Sequence, residues 1–568
     1  MRPPPSQAGR RTVAMGLCLG ALVVQVGCES PTRSKPWRHA EDPLRAAAVA
    51  PRSAALTPED DGELVRSARG HTLRIHLDAE PPRLHPLLAP TVATRRIALG
   101  TVFEPLLAYQ PPEDGKGPGR YAPRLARSWR VMPSGLELRV ELEPATFHDG
   151  HSMTSLDVQF TLDTIRDPRR GIDHLRGLLS EVEAVELVTA RELRIRLRHP
   201  GGWVLRALAE IPILPMHIYG GSLAAGGALV GTGPYKVASQ KAGTVRLTRY
   251  GKYWGPQPSI SDVEFVHEAD AAKALTRAKR GELDVVPSLI AAHWPEQANA
   301  PGLASAFAPI ELAPPRLRYL AFNVQSPPLD DVRVRRALAL LVDRRGIAKS
   351  VYDGLWRPAL WPVWPGGPAV GVAAAIPEFD PAGAGKLLEA AGFSDRDGDG
   401  VRELAGKPLR LTLLRLERPG LASTAEPPPA TDADRFLAAA RRAGVAIEQK
   451  IGTEAVLQKR LADGEFQLAI VEWRGMVDSD LRELVGTGGA FNYGRVSSPA
   501  IDRVLSSLAA AWGPQERADL APQLVKAFED EVPIAGIVAA APQGLVHRRI
   551  SGVRVWDGWF DLRPLGLQ

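Results

Sequence analysis

Cysteine is almost absent from this sequence of 568 residues. The chain has two cysteines, Cys18 and Cys28, and both lie close to its start. The remainder of the chain therefore has no disulfide, no cysteine nucleophile and no cysteine-ligated metal. Several classes of enzyme and metalloprotein are excluded by this count alone.

Long apolar runs and blocks of like charge are also missing. The hydrophobic fraction is 45% and the charged fraction 24%, with a mean hydropathy of −0.11. These values are typical of globular proteins and exclude a polytopic membrane protein. Basic residues exceed acidic ones by 6, but they are interleaved with acids, so the pattern predicts solvated faces and no nucleic-acid partner.

The longest apolar segment follows a basic start. Arg10 and Arg11 precede residues 12–27, TVAMGLCLGALVVQVG, a run that is shorter than the roughly 20 residues of a spanning helix. This order is typical of a secretory signal. The run ends at Cys28 in a pattern that resembles the lipobox of bacterial lipoproteins, with Gln25 in place of the usual Leu. We predict acylation of Cys28; an ordinary signal peptide, or export through the twin-arginine route, are the alternatives.

Residues 29–70 differ in composition from the chain on either side. They are rich in Pro, Ala, Arg, Ser and Asp and show no apolar periodicity. Such a segment buries too little apolar area to offset its chain entropy. It is predicted to be a flexible linker, and about 40 residues of coil have a root-mean-square reach of about 35 Å.

Beyond residue 70, segments with a period of two alternate with segments of helical spacing. This alternation predicts α/β layers. Thr431 and Asp434 are spaced as a helix N-cap, and Gly444 is placed to end the same helix. The predicted strands are 71–80, 136–142, 192–197, 244–250, 262–267, 409–416 and 466–473, and the predicted helices are 92–107, 271–282, 332–344 and 431–444.

Ten blocks of sequence, taken in order, resemble family 5 of the bacterial extracellular solute-binding proteins, the dipeptide and oligopeptide receptors of ABC importers. Each block alone is weak, and their order over almost the whole body makes the resemblance specific. The blocks are VFEPLLAYQ (102–110), YAPRLARSWRV (121–131), FHDGHSMTSLDVQFTL (147–162), GTGPYKV (231–237), RYGKYWGPQPSISDVEF (249–265), RGELDVV (280–286), YLAFNVQSPPLDDVRVRRALALLVDR (319–344), DPAGAGKLLEAAGFSDRDGDGVRELAGKPLRLTLL (380–414), GEFQLAIVEW (464–473) and FNYGRVSSPAIDRVL (491–505).

The resemblance implies an α/β fold of the two-lobed periplasmic-binding-protein type (class II, cluster C), a clamshell with an extra small domain. Its lobes close around a ligand by a hinge motion. The implied segments are a lipoprotein signal peptide (1–28), a flexible linker (29–70), lobe I (71–112, 212–310 and 541–568), the small domain (113–211) and lobe II (311–540).

The same resemblance implies the substrate-binding component of an ABC importer, which captures peptides or a peptide-like solute. The expected protein partner is a permease of the inner membrane. The lipid anchor is also expected to attach the chain to a membrane. The expected state is a monomer in the periplasm or cell envelope. No cofactor and no catalysis are expected, because the sequence contains no GxSxG, HExxH or complete P-loop pattern. A same-fold receptor for a metal chelate, haem or sugar, or a signalling receptor, is the alternative.

The predicted ligand contacts of lobe II follow strand 466–473. In peptide-binding relatives an Asp three residues after a Trp pairs with the ligand's α-ammonium. Here Trp473 and Arg474 begin the corresponding stretch, and Met476 occupies the Asp position. A thioether cannot offset the desolvation of an ammonium. Asp478 or Asp480 is the candidate replacement, and Trp473 is either a cleft wall or a buried Trp at the end of a strand.

The predicted contacts of lobe I lie in AEPPRLHP, which resembles the family's segment at the opening of the cleft. Glu80 and the backbone near Pro82 are expected to face ligand, and His85 stands where the family usually has Asp. In lobe II, Asn323 lies on a strand that faces the cleft in relatives. Its amide either bridges to ligand or holds the strand.

Two further patterns suggest metal sites, and both are interpreted as structural. DRDGDG (395–400) begins like an EF-hand loop, but the twelfth position is Gly406 instead of Glu, so a turn is predicted. His148 and His151 are spaced for a shared metal, but a third ligand is not evident from the sequence. No metal is therefore predicted.

Three other features are predicted to belong to the scaffold. The glycines of GTGPY (231–235) permit tight turns and Pro234 fixes φ, which suits a rigid junction between lobes. Asp331 begins a helix, where the helix dipole favours an acid. Tyr250, Tyr253 and Trp254 are expected to pack in the core or between the lobes.

Overall fold

Strands and helices alternate in the computed structural model, which describes residues 71–81, 83–88, 91–110, 119–223, 229–241, 243–312, 316–359, 378–416, 431–474, 481–540, 543–556 and 559–568. The strands are β1 (Thr72–Leu77), β2 (Leu107–Gln110), β3 (Arg120–Pro123), β4 (Ala126–Val131), β5 (Glu137–Leu142), β6 (Val182–Thr189), β7 (Glu192–Leu197), β8 (Tyr235–Lys241), β9 (Thr244–Arg249), β10 (Asp262–His267), β11 (Val285–Val286), β12 (Phe307–Glu311), β13 (Arg316–Phe322), β14 (Trp356–Pro358), β15 (Glu403–Leu404), β16 (Lys407–Pro408), β17 (Arg410–Leu416), β18 (Ala446–Gly452), β19 (Leu468–Arg474), β20 (Ile534–Ala540), β21 (Gln543–His547), β22 (Ile550–Ser551), β23 (Val555–Trp556), β24 (Trp559–Phe560) and β25 (Gly566–Leu567). The helices are α1 (Val92–Ala98), α2 (Ser155–Arg166), α3 (Asp173–Arg176), α4 (Trp203–Glu210), α5 (Met216–Tyr219), α6 (Ala271–Lys279), α7 (Pro301–Ala306), α8 (Val332–Leu340), α9 (Arg344–Ser350), α10 (Pro381–Ala390), α11 (Asp432–Arg442), α12 (Glu454–Asp463), α13 (Arg482–Val485), α14 (Pro499–Ala510) and α15 (Pro514–Glu531).

Three sheets organise the described residues. The first sheet has the order β12-β21-β11-β1-β10-β9-β8, and the second sheet has the order β14-β20-β13-β19-β17-β18. The small sheet, β4-β5-β7-β6, is antiparallel throughout. β1 runs parallel to β10 and β11 in the first sheet, and β17 runs parallel to β18 and β19 in the second. The α/β prediction is therefore confirmed.

The chain crosses between the first and second sheets twice. β12 belongs to the first sheet and β13, the next strand, to the second; β20 belongs to the second sheet and β21 to the first. Each crossing is short, because β12 ends at Glu311 and β13 begins at Arg316, while β20 ends at Ala540 and β21 begins at Gln543. Two short adjacent connections are the structural basis of a hinge.

The buried side chains show which sheets share a core. One cluster extends without interruption from the first sheet, at Leu73 and Ile75, to the small sheet, at Leu138 and Val140. Two other clusters cover the second sheet, with Leu320 in one and the neighbouring Leu317 in the other. The first and small sheets therefore pack as one body, while the second sheet has cores of its own.

The strands of the three sheets are distributed along the chain as the predicted segments are. The small sheet lies within 113–211 and the second sheet within 311–540, while the first sheet draws β1, β8 to β12 and β21 from three separate stretches. The exact boundaries stay a prediction. None of the helices among the described residues is both long and apolar enough to cross a membrane.

Two predicted helices are wrong in extent. The helix predicted over 92–107 ends at Ala98, and Leu99, its C-cap, already has extended geometry. The helix predicted over 332–344 is two helices, because α8 ends at Leu340 and α9 begins at Arg344. Asp343 caps α9 by accepting a hydrogen bond from the backbone N–H of Gly346 at 2.9 Å. A cap of this kind fixes a new helix start inside a continuous apolar pattern.

Candidate ligand-binding cleft

The carboxyl ends of the parallel strands point towards the crossing segments in both sheets. In the first sheet, β12 ends and β21 begins at this edge, where Glu311 pairs with Gln543. In the second sheet, β13 begins where β19 ends, with Arg316 opposite Arg474. Open α/β sheets bind ligands outside the carboxyl ends of their strands. The candidate cleft is therefore the space bordered by these two edges.

Glu80 lies beyond the carboxyl end of β1, on the cleft edge of the first sheet. Its Oε1 accepts a hydrogen bond from the backbone N–H of Gly243 at 3.0 Å and lies 3.5 Å from Nδ1 of His267. Its side chain is 60% exposed. A pocket of about 350 Å³ opens here, lined also by Lys241. Glu80 is thus available to a ligand, and His267 is a neighbour that the sequence did not predict.

His85 serves the backbone of its own turn. Its Nδ1 accepts hydrogen bonds from the N–H groups of Leu87 at 3.1 Å and Leu88 at 3.0 Å. Burial, together with the guanidinium of Arg83, lowers the pKa of His85 to about 4. The ring packs edge-on against Tyr219. The neutral imidazole therefore performs the turn-capping role that an Asp side chain commonly has.

Trp473 lies near the end of β19, at the cleft edge of the second sheet. Its backbone is opposite Leu317 of β13, and its side chain is 9% exposed within the hydrophobic core of this sheet. Arg474 is the last residue of the same strand. The position fits both roles that the sequence left open, and the small exposed fraction limits the area that Trp473 offers to a ligand.

Asn323 lies at the other edge of the second sheet, because β13 is antiparallel to β19. Its Nδ2 donates to the carbonyl oxygens of Gly464 at 3.1 Å and Phe466 at 3.0 Å, and its Oδ1 accepts from the N–H of Gln325 at 3.3 Å. The structure does not bring Asn323 together with Trp473. These contacts favour the strand-holding role for Asn323.

The remaining predicted site residues lie outside the described residues. These are Met476, Asp478 and Asp480 of the stretch after β19, Pro82 of the segment after β1, and Cys28. Their roles stay predictions.

The sequence matches one family over most of the chain. The family model for bacterial extracellular solute-binding proteins, family 5 (middle), matches residues 120–492. The chain belongs to this family. The order of the sequence blocks predicted this membership, and the comparison confirms it.

Relatives and solved structures of family 5 show how far the likeness extends. A protein of Brucella ovis named as an ABC transporter peptide-binding protein is 29% identical over 53% of this chain, which spans 56% of that relative's length. A protein of Pseudomonas aeruginosa named as a di/tripeptide-binding protein is 24% identical over 87% of this chain and 94% of its own.

Solved structures confirm the predicted fold. The structure of NikA from Brucella suis in complex with Fe(III)-EDTA has a TM-score of 0.70 at 21% identity and covers 88% of this chain and 100% of its own. AppA from Bacillus subtilis in complex with a nonapeptide has a TM-score of 0.65 at 19% identity, covering 89% and 100%. At such identities the likeness establishes the two-lobed periplasmic-binding-protein fold alone.

In this family 5 chain, sequence reasoning missed a buried carboxylate. Glu104 is completely buried and accepts hydrogen bonds from the hydroxyl of Tyr253 at 2.7 Å and from Nε1 of Trp254 at 2.9 Å. The guanidinium of Arg124 lies 3.7 Å away. Burial raises the pKa of Glu104, although these three partners favour its charged form. The two aromatic residues predicted as core packing thus also satisfy an acid; a Glu within the apolar block 102–110 was the available signal.

A second buried ion pair lies at the centre of the first sheet. Asp284, fully buried, accepts a hydrogen bond from the guanidinium of Arg549 at 2.8 Å and another from the backbone N–H of Arg74 at 2.8 Å. It joins the carboxyl-terminal stretch to β1. Neither this pair nor Glu104 lies on the cleft edges, so both stabilise the scaffold.

The glycines of GTGPY are required by close approach. A Cβ on Gly231 would lie 1.9 Å from the carbonyl oxygen of Val102, and one on Gly233 would lie 2.1 Å from that of Thr101. Neither glycine has a positive φ. The predicted junction between lobes is therefore not what this segment forms, because its close contacts are with the backbone of residues 101–102 within the body of the first sheet.

The acidic loop 395–400 forms the predicted turn. Asp395 accepts hydrogen bonds from the N–H groups of Gly398 at 2.8 Å and Gly400 at 3.1 Å. Oxygen atoms of Asp395, Asp397 and Glu403 lie within 4.8 Å of one another. The carboxylates are occupied with the local backbone, which is sufficient to explain the motif.

Proposed function

We propose that this chain is the substrate-binding component of an ABC importer and captures a peptide or peptide-like solute between its two lobes. The observation that carries the proposal is the family match over 120–492 on a fold whose two sheets are joined by two short crossings. A ligand that contacts both cleft edges shifts the population towards the closed state. A permease of the inner membrane then binds the closed form. The solute is not chemically changed.

The proposed place of action is outside the cytoplasmic membrane, with a lipid on Cys28 as the anchor. The basic start, the apolar run and the lipobox-like end at Cys28 support this, and residues 29–70 supply a linker. Mass spectrometry of the membrane fraction is expected to find an acylated Cys28 at the new amino terminus. A Cys28→Ser variant is expected in the soluble fraction. A soluble, unmodified wild-type product would contradict the anchor.

Peptide capture is tested by the thermal stability of the mature body against a library of dipeptides and tripeptides. A ligand at 100-fold excess over its Kd stabilises the folded state by about 2.7 kcal/mol. Stabilisation by peptides, reduced in Glu80→Gln, is the expected result. Lys459→Gln is a matched control, because Lys459 is exposed on α12 in an ion pair with Asp463. Stabilisation by chelates or sugars alone would overturn the peptide proposal.

A receptor for a non-peptide ligand of the same fold is the second candidate. Met476 favours it, because a neutral side chain stands at the position where peptide receptors of this family place an Asp. The likeness to NikA in complex with Fe(III)-EDTA shows that this fold also accommodates a chelate.

A Met476→Asp variant separates the two candidates. If a peptide lies in the cleft with its amino terminus near residue 476, the new carboxylate is expected to raise affinity for free peptides by about tenfold or more, as a charge-assisted hydrogen bond contributes about 1.5–3 kcal/mol. Amino-acetylated peptides are the control and are expected to gain nothing. An equal response to both peptide forms would contradict this placement.

A further inference from the structure

Asp149 and His151, two residues apart in one turn, meet His217 from a distant part of the chain on the surface. Nε2 of His217 lies 2.6 Å from Oδ2 of Asp149, and Nδ1 of His151 lies 3.2 Å from Oδ1 of the same carboxylate. One ligand atom from each residue lies within 4.8 Å of the others. The sequence offered His148 and His151 as a pair without a third ligand; the structure supplies His217 as a partner from elsewhere in the chain.

Local backbone contacts bring these side chains together. The turn 147–151 closes through hydrogen bonds from the N–H of Phe147 to the carbonyl of His151 at 2.8 Å and from the N–H of Gly150 to the carbonyl of Phe147 at 2.9 Å. His217 lies on α5, whose first N–H, that of Met216, donates to Asp157 at 2.9 Å. Both ligand-bearing segments are therefore held independently of any ion.

His148 is not part of this cluster. Its Nε2 lies 2.9 Å from the carbonyl oxygen of Gly233, and its Nδ1 accepts a hydrogen bond from the N–H of Gly231 at 3.3 Å. Burial lowers the pKa of His148 and so favours its neutral form; both ring nitrogens are engaged by the GTGPY segment. The metal pair that the sequence suggested, His148 with His151, is therefore replaced by His151 with His217.

We propose that Asp149, His151 and His217 form a binding site for a divalent transition-metal ion of the Zn²⁺ class. Two imidazoles and one carboxylate are ligands that Zn²⁺, Ni²⁺ and Cu²⁺ accept, and imidazole disfavours Mg²⁺ and Ca²⁺. Three protein ligands leave a tetrahedral ion one position for water. The site lies away from the cleft edges and does not rest on the proposed function.

Binding requires a small opening of one contact and the rotation of one ring. Neighbouring ligand atoms of a tetrahedral Zn²⁺ lie about 3.3 Å apart, given metal–ligand distances of about 2.0–2.2 Å, so the contact between His217 and Asp149 opens by less than an ångström. The rings of His151 and His217 are stacked with centroids 4.1 Å apart. One ring must leave the stack, and His151, with 63% of its side chain exposed, has the freedom to turn.

A bound ion would join the turn 147–151 to α5. This turn contains His148, which contacts the GTGPY segment, and Phe147 of the same turn is packed edge-on against His217. An ion that binds the folded chain stabilises it by mass action. The expected consequence is a rise in melting temperature with Zn²⁺ that does not depend on any cleft ligand.

The experiment is a Zn²⁺ titration of the full mature chain, produced without a histidine tag, by calorimetry and by competition with a chromophoric chelator. We expect one Zn²⁺ per chain. His217→Ala and His151→Ala are each expected to weaken binding by at least about tenfold, since even groups that only orient a metal ligand contribute about 10- to 100-fold. His199→Ala is the matched control: its ring is exposed and paired with Glu181, and it is expected to leave affinity unchanged.

Crystals soaked in Zn²⁺ are expected to show an anomalous peak within ligand distance of all three side chains. Circular dichroism of each variant verifies its folding, and His151→Ala, at an exposed position, keeps the test valid if His217→Ala is destabilised. Equal Zn²⁺ affinity in wild type and in His151→Ala, or tight binding of Mg²⁺ in place of Zn²⁺, would overturn the proposal.

Discussion

At the scale of single residues, protonation of His85, which caps one turn, is expected to make the stability of the protein depend on pH. Its folded-state pKa is lowered to about 4 from the ordinary value of 6.5, with burial as the main cause. Between these values the unfolded chain binds more protons than the folded one, so stability is fully present above pH 6.5 and falls as pH decreases towards 4. At about 1.4 kcal/mol per unit, His85 accounts for a loss of about 2 kcal/mol between pH 7 and pH 5.

The variant His85→Asn tests this contribution. An Asn carbonyl oxygen can accept the same hydrogen bonds from Leu87 and Leu88 and does not titrate. Urea unfolding at pH 7 and pH 5 is expected to show a smaller loss in His85→Asn than in wild type. His199→Asn, at an exposed position, is the control and should behave like wild type. An undiminished pH dependence in His85→Asn would show that other groups are responsible.

The GTGPY segment yields a second prediction at this scale. Gly231→Ala places a Cβ against the carbonyl oxygen of Val102, a backbone atom that cannot rotate away. Overpacking of this kind typically costs about 1–3 kcal/mol. Gly221→Ala is the matched control, because among the described residues no atom lies within 4 Å of its added Cβ. Chemical denaturation should separate the two variants; equal stability would refute the close-approach explanation.

Site residues differ in how far the sequence could predict them. The partners of His85 lie two and three residues away, within the reach of local reasoning. Those of Asn323 are separated from it by 141 and 143 residues. His217 likewise reaches Asp149 across 68 residues. Contacts of this second kind depend on tertiary packing, so the sequence left the role of Asn323 open and missed the third member of the His151 cluster.

At the scale of elements, the start of α11 was predicted with its cause. Thr431 accepts a hydrogen bond from the N–H of Asp434 at 3.2 Å, and Asp434 accepts one from the N–H of Thr431 at 2.9 Å. Thr431→Ala is expected to destabilise the protein by about 1 kcal/mol. Thr453→Ala is the control: Thr453 is the N-cap of α12, but its side chain makes no capping hydrogen bond. Thermal unfolding that ranks the two variants equally would contradict the assignment.

Strands were easier to predict than helix ends. The observed bounds of β7 and β10 are the same as the predicted ones. Strands with one buried face have apolar residues at every second position, so their extent can be recognised in the sequence. α1 and α8 are shorter than predicted. Apolar residues continue beyond the ends of both helices, because extended and turn segments are also buried in the core there. The spacing of apolar residues alone therefore does not show where each helix ends.

At the scale of the whole molecule, the resemblance predicted two lobes and a small domain attached to the first of them. The small domain was expected to elaborate lobe I, and its sheet shares one continuous core with the first sheet. This shared core includes buried apolar side chains from both the predicted lobe I segments and the predicted small domain. The described residues therefore pack as two parts, the first and small sheets together in one and the second sheet in the other.

These two parts also touch away from the crossings. The backbone N–H of Gly202, before α4, donates to the carbonyl oxygen of Ala509 on α14 at 3.2 Å. The guanidinium of Arg517 on α15 lies 5.5 Å from the ring of Trp203, and Trp512 packs against the core of the first and small sheets. A motion that separates the two parts would break these contacts, so they favour the arrangement seen in the structure.

Gly202→Ala tests this contact without altering a predicted cleft residue. Its Cβ would lie 2.3 Å from the carbonyl oxygen of Ala511, which forces the two surfaces apart. Apparent affinity scales with the fraction of molecules in the binding-competent state, so each loss of about 1.4 kcal/mol at the contact weakens ligand binding about tenfold. Gly202→Ala should therefore raise the ligand-free radius of gyration in X-ray scattering and lower affinity, whereas Gly221→Ala should change neither. If affinity falls at an unchanged radius of gyration, the contact acts on the ligand by another route; if neither changes, it does not bias closure.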